Sequence, residues 1–425
     1  MSRAIRDAET EGESALVLVR NDVAHDSRIV REVQTLRSIG FRPMVLGQAS
    51  PGAPPPSIDL AGASIRRASP GLTRVTRSNE AAPVTAPADA ETGSMPRAPG
   101  PRAAALGFAQ RVNRTVSSAR YLASTLRVAG RKRPALVHCN DHNTMWAGLA
   151  VRALHGSAVV FDSHELWADR NRRPEWRRRL LVEEALFVRA AHRTVTTSPG
   201  YAAVLAQRHR VEPPELVRNV PTRRGWFAAP TAAAPTVVYV GGLTFGRGLE
   251  QTIAAVALLD GVRLRLIGPA RAQWAARLAR LAEEQGLADR VEIRPPVAPT
   301  DVPAALADAH VGVALIQPVC LSYELTLPNK LFEYVAAGVP LLVSDLPVMR
   351  DFVTEHDIGM AAPPDRPEAI AQRIGALLEP ERNAQLRENV RRAASRFSWQ
   401  RERSALVGAY REALRRAGLP IDLPS

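Results

Sequence analysis

Lys330 is the residue whose position in the sequence suggests chemistry most directly. It lies in the stretch L-P-N-K-L-F-E-Y, and Pro328 fits the first turn of a helix, where its missing N–H is not needed. Gly338 and Pro340 fit the end of that helix. A cation in the first turn opposes the helix dipole, and a bound anion would offset this cost. The alternative is a solvated Lys330 that pairs with Glu333, one turn on.

A glycine-rich turn provides a second cation. The residues from Gly241 to Glu250 read G-G-L-T-F-G-R-G-L-E and follow a short apolar run. The glycines allow the backbone to come close to a phosphate group, and the guanidinium of Arg247 can donate several hydrogen bonds to it. The turn is neither a Walker A sequence nor a complete G-x-G-x-x-G pattern. Taken alone, it also fits a solvated arginine at the start of a helix.

Polar residues follow three apolar runs in the first half of the chain. They are His25, Asp26 and Arg28 after the first run, His138 at the end of the second, and His164 and Glu165 after the third. Ligands bind at the carboxyl ends of strands in open α/β sheets, so we expect these side chains near a cleft. His25 and Asp26 also fit helix caps. A metal site of His138, Asp141, His142 and His164 is a weaker alternative, because His138 and His142 straddle a strand–helix junction.

The elements that would position these residues alternate between strands and helices. Strands are predicted near residues 15–19, 43–47, 135–139, 158–161, 194–197, 236–240, 262–267, 291–294, 311–316 and 341–344. This order predicts an α/β protein with two Rossmann-like, doubly wound domains facing a cleft. The expected divisions are a tail at 1–13, domains at 14–225 and 226–396, a disordered insertion at 70–102 within the first domain, and a C-terminal helix at 397–425.

Composition excludes several classes of protein. Two cysteines in 425 residues are too few for a disulfide framework. The N-terminal segment lacks the apolar core of a signal peptide, and no apolar run approaches the ~20 residues of a membrane span. We therefore expect a cytoplasmic location. The formal charge is +14, but no zinc finger, basic heptad repeat or RNA-binding aromatic motif accompanies it, so we expect no nucleic-acid partner.

A helix is predicted over residues 103–129. Its apolar face would consist of Phe108, Val112, Val116, Ala119, Leu122 and Leu126, with arginines at the flanks and behind. Such a face usually packs on a sheet. A basic amphipathic face can also contact anionic lipid, which makes the inner membrane surface a candidate partner.

The two cation-bearing segments together resemble the donor-binding elements of family-4 glycosyltransferases. The first family motif commonly reads G-R-L-x-x-x-K-G-L-D. Gly241, Leu243, Gly248 and Leu249 match it, Arg247 stands at the lysine position, and Gly242 replaces the arginine.

The second family motif is E-x7-E running into A-A-G-x-P. Glu333 stands at the second acid and the sequence A-A-G-V-P is intact, whereas Leu325 occupies the position of the first acid. The P-N-K wording resembles one branch of the family. D-S-R-I from Asp26, F-D-S-H-E ending at Glu165 and F-S-W from Phe397 extend the resemblance over nearly the whole chain.

The resemblance implies a GT-B fold, with the C-terminal helix crossing back to the first domain. It also implies sugar transfer from a nucleotide sugar with retention of configuration, without a metal or other cofactor. The implied donor-binding residues are Gly241, Gly242, Arg247, Gly248, Pro328, Asn329, Lys330, Leu331 and Glu333. Arg247 and Lys330 would stabilise the diphosphate, Glu333 would contact the ribose, and His164 would contact the donor sugar.

The implied acceptor is a glycan or a lipid-linked molecule held by the first domain. The residues expected near the acceptor or the cleft are His25, Asp26, Arg28, His138 and Glu165. Two other functions stay open. One is a non-catalytic sugar- or lipid-binding homologue, which Leu325 and Gly242 would favour. The other is a different GT-B activity, such as a nucleotide-sugar epimerase or a phosphorylase.

Overall fold

The structure is a computed structural model. It describes residues 12–21, 23, 26–49, 63–68, 101–170, 176–222, 234–419 and 423. Most of the predicted tail and nearly all of the predicted insertion at 70–102 lie outside the described residues, as does His25. No helix in the described ranges is long and apolar enough to span a membrane.

Strands form two parallel sheets, which confirms the predicted fold class. The first sheet consists of β1 (Ser14–Leu18), β2 (Arg42–Gln48), β3 (Ser64–Ala68), β4 (Leu136–Asn140), β5 (Ala158–Ser163), β6 (Arg193–Thr196) and β7 (Glu215–Leu216). Its strand order is β3-β2-β1-β4-β5-β6-β7. Strand β1 therefore lies between β2 and β4, the reversal of order expected of a doubly wound sheet.

The second sheet repeats this plan. It consists of β8 (Thr236–Val240), β9 (Arg263–Ile267), β10 (Val291–Arg294), β11 (Val311–Ala314), β12 (Leu341–Ser344) and β13 (Gly359–Ala362). Its strand order is β10-β9-β8-β11-β12-β13. The order again reverses at its first strand, β8, which lies between β9 and β11. The turn that begins at Gly241 leaves β8 at this position.

Helices connect the strands of both sheets. They are α1 (Ser27–Ser38), α2 (Pro101–Lys132), α3 (Met145–His155), α4 (Arg177–Ala190), α5 (Pro199–His209), α6 (Leu249–Ala257), α7 (Ala272–Glu284), α8 (Val302–Leu306), α9 (Leu321–Glu324), α10 (Asn329–Ala337), α11 (Pro347–Glu355), α12 (Pro367–Leu378), α13 (Pro380–Ala394) and α14 (Trp399–Arg416). The predicted helix at 103–129 is therefore present as part of α2.

The chain divides into two compact units. The first contains residues 1–162, 190–192 and 410–425, and the second contains residues 163–189 and 193–409. The domain boundaries predicted from the sequence remain a prediction.

The second sheet is covered on both faces by apolar side chains. Alternate residues of β8 point to opposite faces, so Val238 and Val240 pack in one cluster with α10, while Val237 and Tyr239 pack in another with α6. A strand that is buried on both faces reads as a continuous apolar run, which is why β8 was predictable.

The packing face of α2 differs from the predicted one. From residue 112 to residue 129 the buried side chains are Ser117, Tyr121, Thr125, Val128 and Ala129, whereas Val112 and Ala119 of the predicted apolar face are exposed. The reason is that the Tyr121 hydroxyl lies within hydrogen-bond distance of the carbonyl oxygens of Val19 and Leu46, to which it donates. The Ser117 hydroxyl accepts hydrogen bonds from Arg20, just after β1, and from Gln48 at the end of β2. Polar contacts thus set the rotation of this helix.

Candidate functional site

Lys330 is buried at the start of α10. Pro328 takes the cap position and Asn329 is the first helical residue, and the helix ends at Gly338 with a left-handed φ of 73°. Lys330 is only 7% exposed, although its side chain carries an ionisable amine. Its Nζ atom lies 3.6 Å from the centre of the Tyr239 ring. It makes no hydrogen bond or ion pair with any other residue that the structure describes.

This environment disfavours the charged form of Lys330. Burial, together with repulsion from Arg247, holds the pKa of Lys330 well below its usual value, and the nearby Glu333 opposes this effect only in part. The helix dipole also disfavours a cation at this end. A negatively charged group bound here would therefore relieve an existing electrostatic cost.

Arg247 is the second cation of the site. Its guanidinium lies 4.9 Å from the centre of the Tyr323 ring, and it affects the pKa of both Lys330 and Tyr239. The Arg247 side chain is half-buried, so its donors are open to a ligand. Each cation thus rests against an aromatic ring, a contact worth up to about 2 kcal/mol when desolvated.

Two glycines allow the turn to approach this site. Gly241 has a φ of 126°, and a Cβ atom there would lie 3.3 Å from the Nζ of Lys330. Gly248 has a φ of 72°, and a Cβ atom there would lie 2.0 Å from the carbonyl oxygen of Leu315, which is not tolerable. Gly248 caps the N-terminus of α6. Both positions therefore require glycine.

The remaining predicted donor-binding residues differ in exposure. Gly242 is half-buried and its carbonyl oxygen accepts a hydrogen bond from the Tyr239 hydroxyl at 2.9 Å. Glu333 is half-buried, and Asn329 is exposed. Leu331 is fully buried in the core, and its N–H donates to the carbonyl oxygen of Pro328. Its side chain therefore supports α10 instead of facing a ligand.

Tyr334 fixes α10 against the second sheet. Its ring packs over Gly312 of β11, where a Cβ atom would come within 2.5 Å of the ring. Its hydroxyl donates to the carbonyl oxygen of Val313 at 2.9 Å and accepts from the N–H of Val240 at 3.2 Å. The glycine in β11 thus makes room for the tyrosine that anchors the helix.

His164 follows β5 directly, as predicted. Its backbone carbonyl accepts a hydrogen bond from the Thr197 hydroxyl at 3.0 Å, and the carbonyl of Ser163 accepts one from Thr196 at 2.7 Å. The His164 side chain is half-buried. Glu165 pairs with Arg170 at 2.7 Å. Two threonines of the β6 strand end therefore hold the loop that presents His164.

The first unit contains the other predicted polar residues. The Asp26 carboxylate accepts hydrogen bonds from the N–H groups of Arg28 and Ile29, so Asp26 caps α1. Arg28 is 3% exposed and His138 is fully buried. Both belong to a buried network of charged side chains rather than to an exposed surface.

The network surrounds His138 on several sides. Its Nε2 atom lies 3.3 Å from Asp162 and 3.5 Å from Glu32, and its Nδ1 atom lies 3.1 Å from the hydroxyl of Tyr410 on α14. Arg28 contacts the same two acids, at 2.9 Å and 3.2 Å. Burial alone would lower the pKa of His138, but the two carboxylates outweigh it and raise that pKa to about 9.

Sequence reasoning missed the aromatic partners of the two cations. Tyr239 lies two positions before Gly241, the first residue of the glycine-rich turn, and Tyr323 lies seven positions before Lys330. Their proximity in sequence to the motifs was the available signal, but only the fold brings their rings beneath Lys330 and Arg247.

Two doubly wound parallel sheets are the architecture of the GT-B class. In this chain, the glycine-rich turn after β8 and the start of α10 carry the two neighbouring basic residues, Arg247 and Lys330. The structure is similar to a sucrose-phosphate synthase from Thermosynechococcus elongatus, with a TM-score of 0.71, 19% identity and coverage of 95% of this chain and 99% of the other. It is also similar to Anabaena HepE in complex with UDP-glucose, with a TM-score of 0.68, 12% identity and coverage of 94% and 99%.

Family models match two successive parts of the chain. The model described as Glycosyltransferase Family 4 matches residues 75–221, and the model described as Glycosyl transferases group 1 matches residues 234–380. The chain belongs to the family-4, group 1 glycosyltransferases.

Several curated relatives are named D-inositol 3-phosphate glycosyltransferase. The one from Acidothermus cellulolyticus is 25% identical over 327 residues, which cover 69% of this chain and 71% of the relative. The one from Mycobacterium marinum is 31% identical over 193 residues, covering 42% and 38%. The one from Xylanimonas cellulosilytica is 27% identical over 187 residues, covering 43% of each. The matched part thus spans less than half the length of two of these relatives.

Proposed function

We propose that this glycosyltransferase is a retaining, metal-independent enzyme of the hexosyltransferase type. It transfers a sugar from a nucleotide sugar to a glycan or lipid-linked acceptor, in the synthesis of a cell-surface glycan or glycolipid. The observation that carries the proposal is the buried Lys330, which lies without an ion pair in the described ranges, beside Arg247 at a helix N-terminus. This arrangement favours the binding of a diphosphate.

The chemistry follows from where negative charge develops. As the bond between the sugar and the diphosphate breaks, the leaving oxygens gain negative charge and the sugar becomes oxocarbenium-like. Arg247 and Lys330 are already in place and stabilise the leaving diphosphate more than the bound donor, which lowers the barrier. The leaving phosphate oxygen takes the proton of the acceptor hydroxyl, so no separate protein base is needed.

Other residues would orient the donor. Glu333 would accept hydrogen bonds from the ribose hydroxyls, and His164 would contact a hydroxyl of the transferred sugar. The backbone at Gly241, Gly242 and Gly248 would lie along the phosphates. UDP-sugars are the first donors to test, because UDP and UDP-glucose are bound in the similar HepE structures.

A membrane surface is part of the proposal. Helix α4 exposes large apolar side chains: Val182 is 71% and Leu186 is 44% exposed, and Trp176, directly before the helix, is 41% exposed. Arg178 and Arg179 are exposed on the same helix. Apolar side chains flanked by arginine favour contact with anionic lipid headgroups. Such contact would place a cytoplasmic enzyme at the inner face of the membrane, next to a lipid-linked acceptor.

The decisive experiment is a donor screen on the purified protein. UDP-, GDP- and ADP-sugars are tested for protection against thermal unfolding and then for release of nucleoside diphosphate with an acceptor panel. Phosphorylated polyols belong in that panel. Proton NMR of the product determines the anomeric configuration, and EDTA should leave the rate unchanged. If no nucleotide sugar raises the melting temperature, the proposed function is wrong.

A non-catalytic sugar-binding protein is the second candidate. The observation that favours it is Leu325, which stands where the family motif has its first acid. Saturable donor binding with no release of nucleoside diphosphate would support this candidate over the enzyme. Interconversion of the nucleotide sugar without transfer would instead indicate an epimerase.

A further inference from the structure

The segment that carries Tyr323 is held by residues at the start of α5. Tyr201 is 2% exposed, and its hydroxyl donates to the carbonyl oxygen of Ser322 at 2.6 Å. The Ser322 hydroxyl donates to the hydroxyl oxygen of Tyr201 at 3.4 Å. The hydroxyl of Ser198 donates to the carbonyl oxygen of Leu325 at 2.5 Å. Two side chains thus bind the backbone at both ends of the four-residue helix α9.

Ser198 and Tyr201 are themselves firmly placed. Ser198 caps α5 by accepting a hydrogen bond from the N–H of Gly200. A Cβ atom at Gly200 would lie 2.9 Å from side-chain atoms of both Leu325 and Val348, so the two segments meet without a gap. Burial raises the pKa of Tyr201 to about 12, and its phenol therefore remains a donor at neutral pH.

Helix α9 in turn supports Arg247. Its residue Tyr323 places its ring beneath the Arg247 guanidinium at 4.9 Å, and the ring edge packs against Gly246. A helix of four residues has little stability of its own, because the cost of its first turn is not recovered over so short a length. Its position must therefore come from the contacts around it.

We propose that Ser198 and Tyr201 are positioning residues for the donor site, which hold α9 so that Tyr323 keeps Arg247 oriented towards the donor diphosphate. The inference rests on the proposed function. It also assigns a role to the leucine that replaces the first acid. The backbone carbonyl of Leu325 is an attachment point for α5, and its Cβ atom lies against Gly200.

The test compares two buried tyrosines. Tyr201→Phe removes one hydroxyl that donates to a backbone carbonyl of α9. Tyr121→Phe is the matched control, because Tyr121 is also 2% exposed and its hydroxyl also donates to backbone carbonyls, those of Val19 and Leu46 in the first unit. UDP is the probe in calorimetric titrations of wild type and both variants.

We expect Tyr201→Phe to bind UDP about five-fold more weakly, the factor of one ordinary buried hydrogen bond, and Tyr121→Phe to bind it within about two-fold of wild type. Hydrogen–deuterium exchange gives a readout that needs no ligand. Amides of residues 321–327 should exchange faster than in wild type in both Tyr201→Phe and Ser198→Ala. Their exchange rates should be the same as in wild type in Tyr121→Phe.

Unchanged exchange of residues 321–327 in both Tyr201→Phe and Ser198→Ala would overturn the proposal. Equal loss of UDP affinity in Tyr201→Phe and Tyr121→Phe would also overturn it, because the effect would then be one of general stability. If wild-type protein binds neither UDP nor any nucleotide sugar, the proposed function fails, while the exchange measurement still decides whether Ser198 and Tyr201 hold α9.

Discussion

Replacing Lys330 by methionine is expected to stabilise the protein and to abolish most of its turnover. Methionine keeps the unbranched stem of lysine but removes a charge that is 7% exposed and unfavourably placed at a helix N-terminus. A buried ion costs several kcal/mol, which the Tyr239 ring and Glu333 offset only in part. We expect the free energy of unfolding to rise by about 1–2 kcal/mol, or about 1–4 °C in melting temperature.

The same substitution should slow nucleoside diphosphate release by about 100- to 1,000-fold, because one preorganised donor to the leaving group is lost. The pH dependence provides an internal check. Since the pKa of Lys330 is lowered in the folded state, its cost is present at neutral pH and disappears as the pH rises towards the usual lysine range. The stability advantage of Lys330→Met should therefore shrink at high pH.

Lys132 supplies the control, because it is the other lysine of the chain and is exposed at the end of α2. Lys132→Met should change neither the melting temperature nor the rate of nucleoside diphosphate release. Thermal unfolding and a coupled nucleoside diphosphate assay on the same preparations measure both quantities. A Lys330→Met protein that melts below wild type and turns over normally would refute the assigned role of Lys330.

Three further predictions concern separate parts of the structure. Because the pKa of His138 is raised to about 9, its contribution to stability is full below pH ~6.5 and is lost as the pH rises through about 9; urea titrations should show that wild type loses up to about 3 kcal/mol more than His138→Gln over this range. Gly248→Ala should cost more than about 3 kcal/mol, because its methyl group would meet the carbonyl oxygen of Leu315, whereas Gly261→Ala, at a φ of 67° with open space around it, should cost about 1 kcal/mol by the same measurement. Arg247→Ala should weaken UDP binding about 10-fold or more in calorimetry while Arg247→Lys retains part of it, and equal affinities for all three proteins would contradict a charged donor contact.

Much of the fold was predictable because its signals are local. Val237 to Val240 form an apolar run buried on both faces, and Ser198 before Pro199 gave the N-cap of α5 correctly. The end of α10 at Gly338 was likewise predicted correctly from the sequence. Such features depend on neighbouring residues only.

The remaining features depend on contacts between distant residues. The sequence left two interpretations of Lys330 open, a solvated ion pair and an anion site, and its burial against Tyr239 is a contact between residues 91 positions apart. The rotation of α2 follows from the contacts of Tyr121 with β1 and β2, which helical periodicity alone does not reveal. The buried network around His138 likewise depends on contacts with residues distant in sequence, Glu32 and Tyr410.

The contact between Tyr334 and Gly312 has a consequence for the rotational phase of α10. Successive residues of a helix are turned by about 100°, so a slip of one residue would carry the Lys330 amine away from the Tyr239 ring. The Tyr334 hydroxyl, bound to backbone atoms of β8 and β11 one turn after Lys330, prevents that slip. A single methyl group added at Gly312 would displace the Tyr334 ring and turn the helix. The angular setting of the Lys330 side chain thus depends on β11, through the packing of Tyr334 on Gly312.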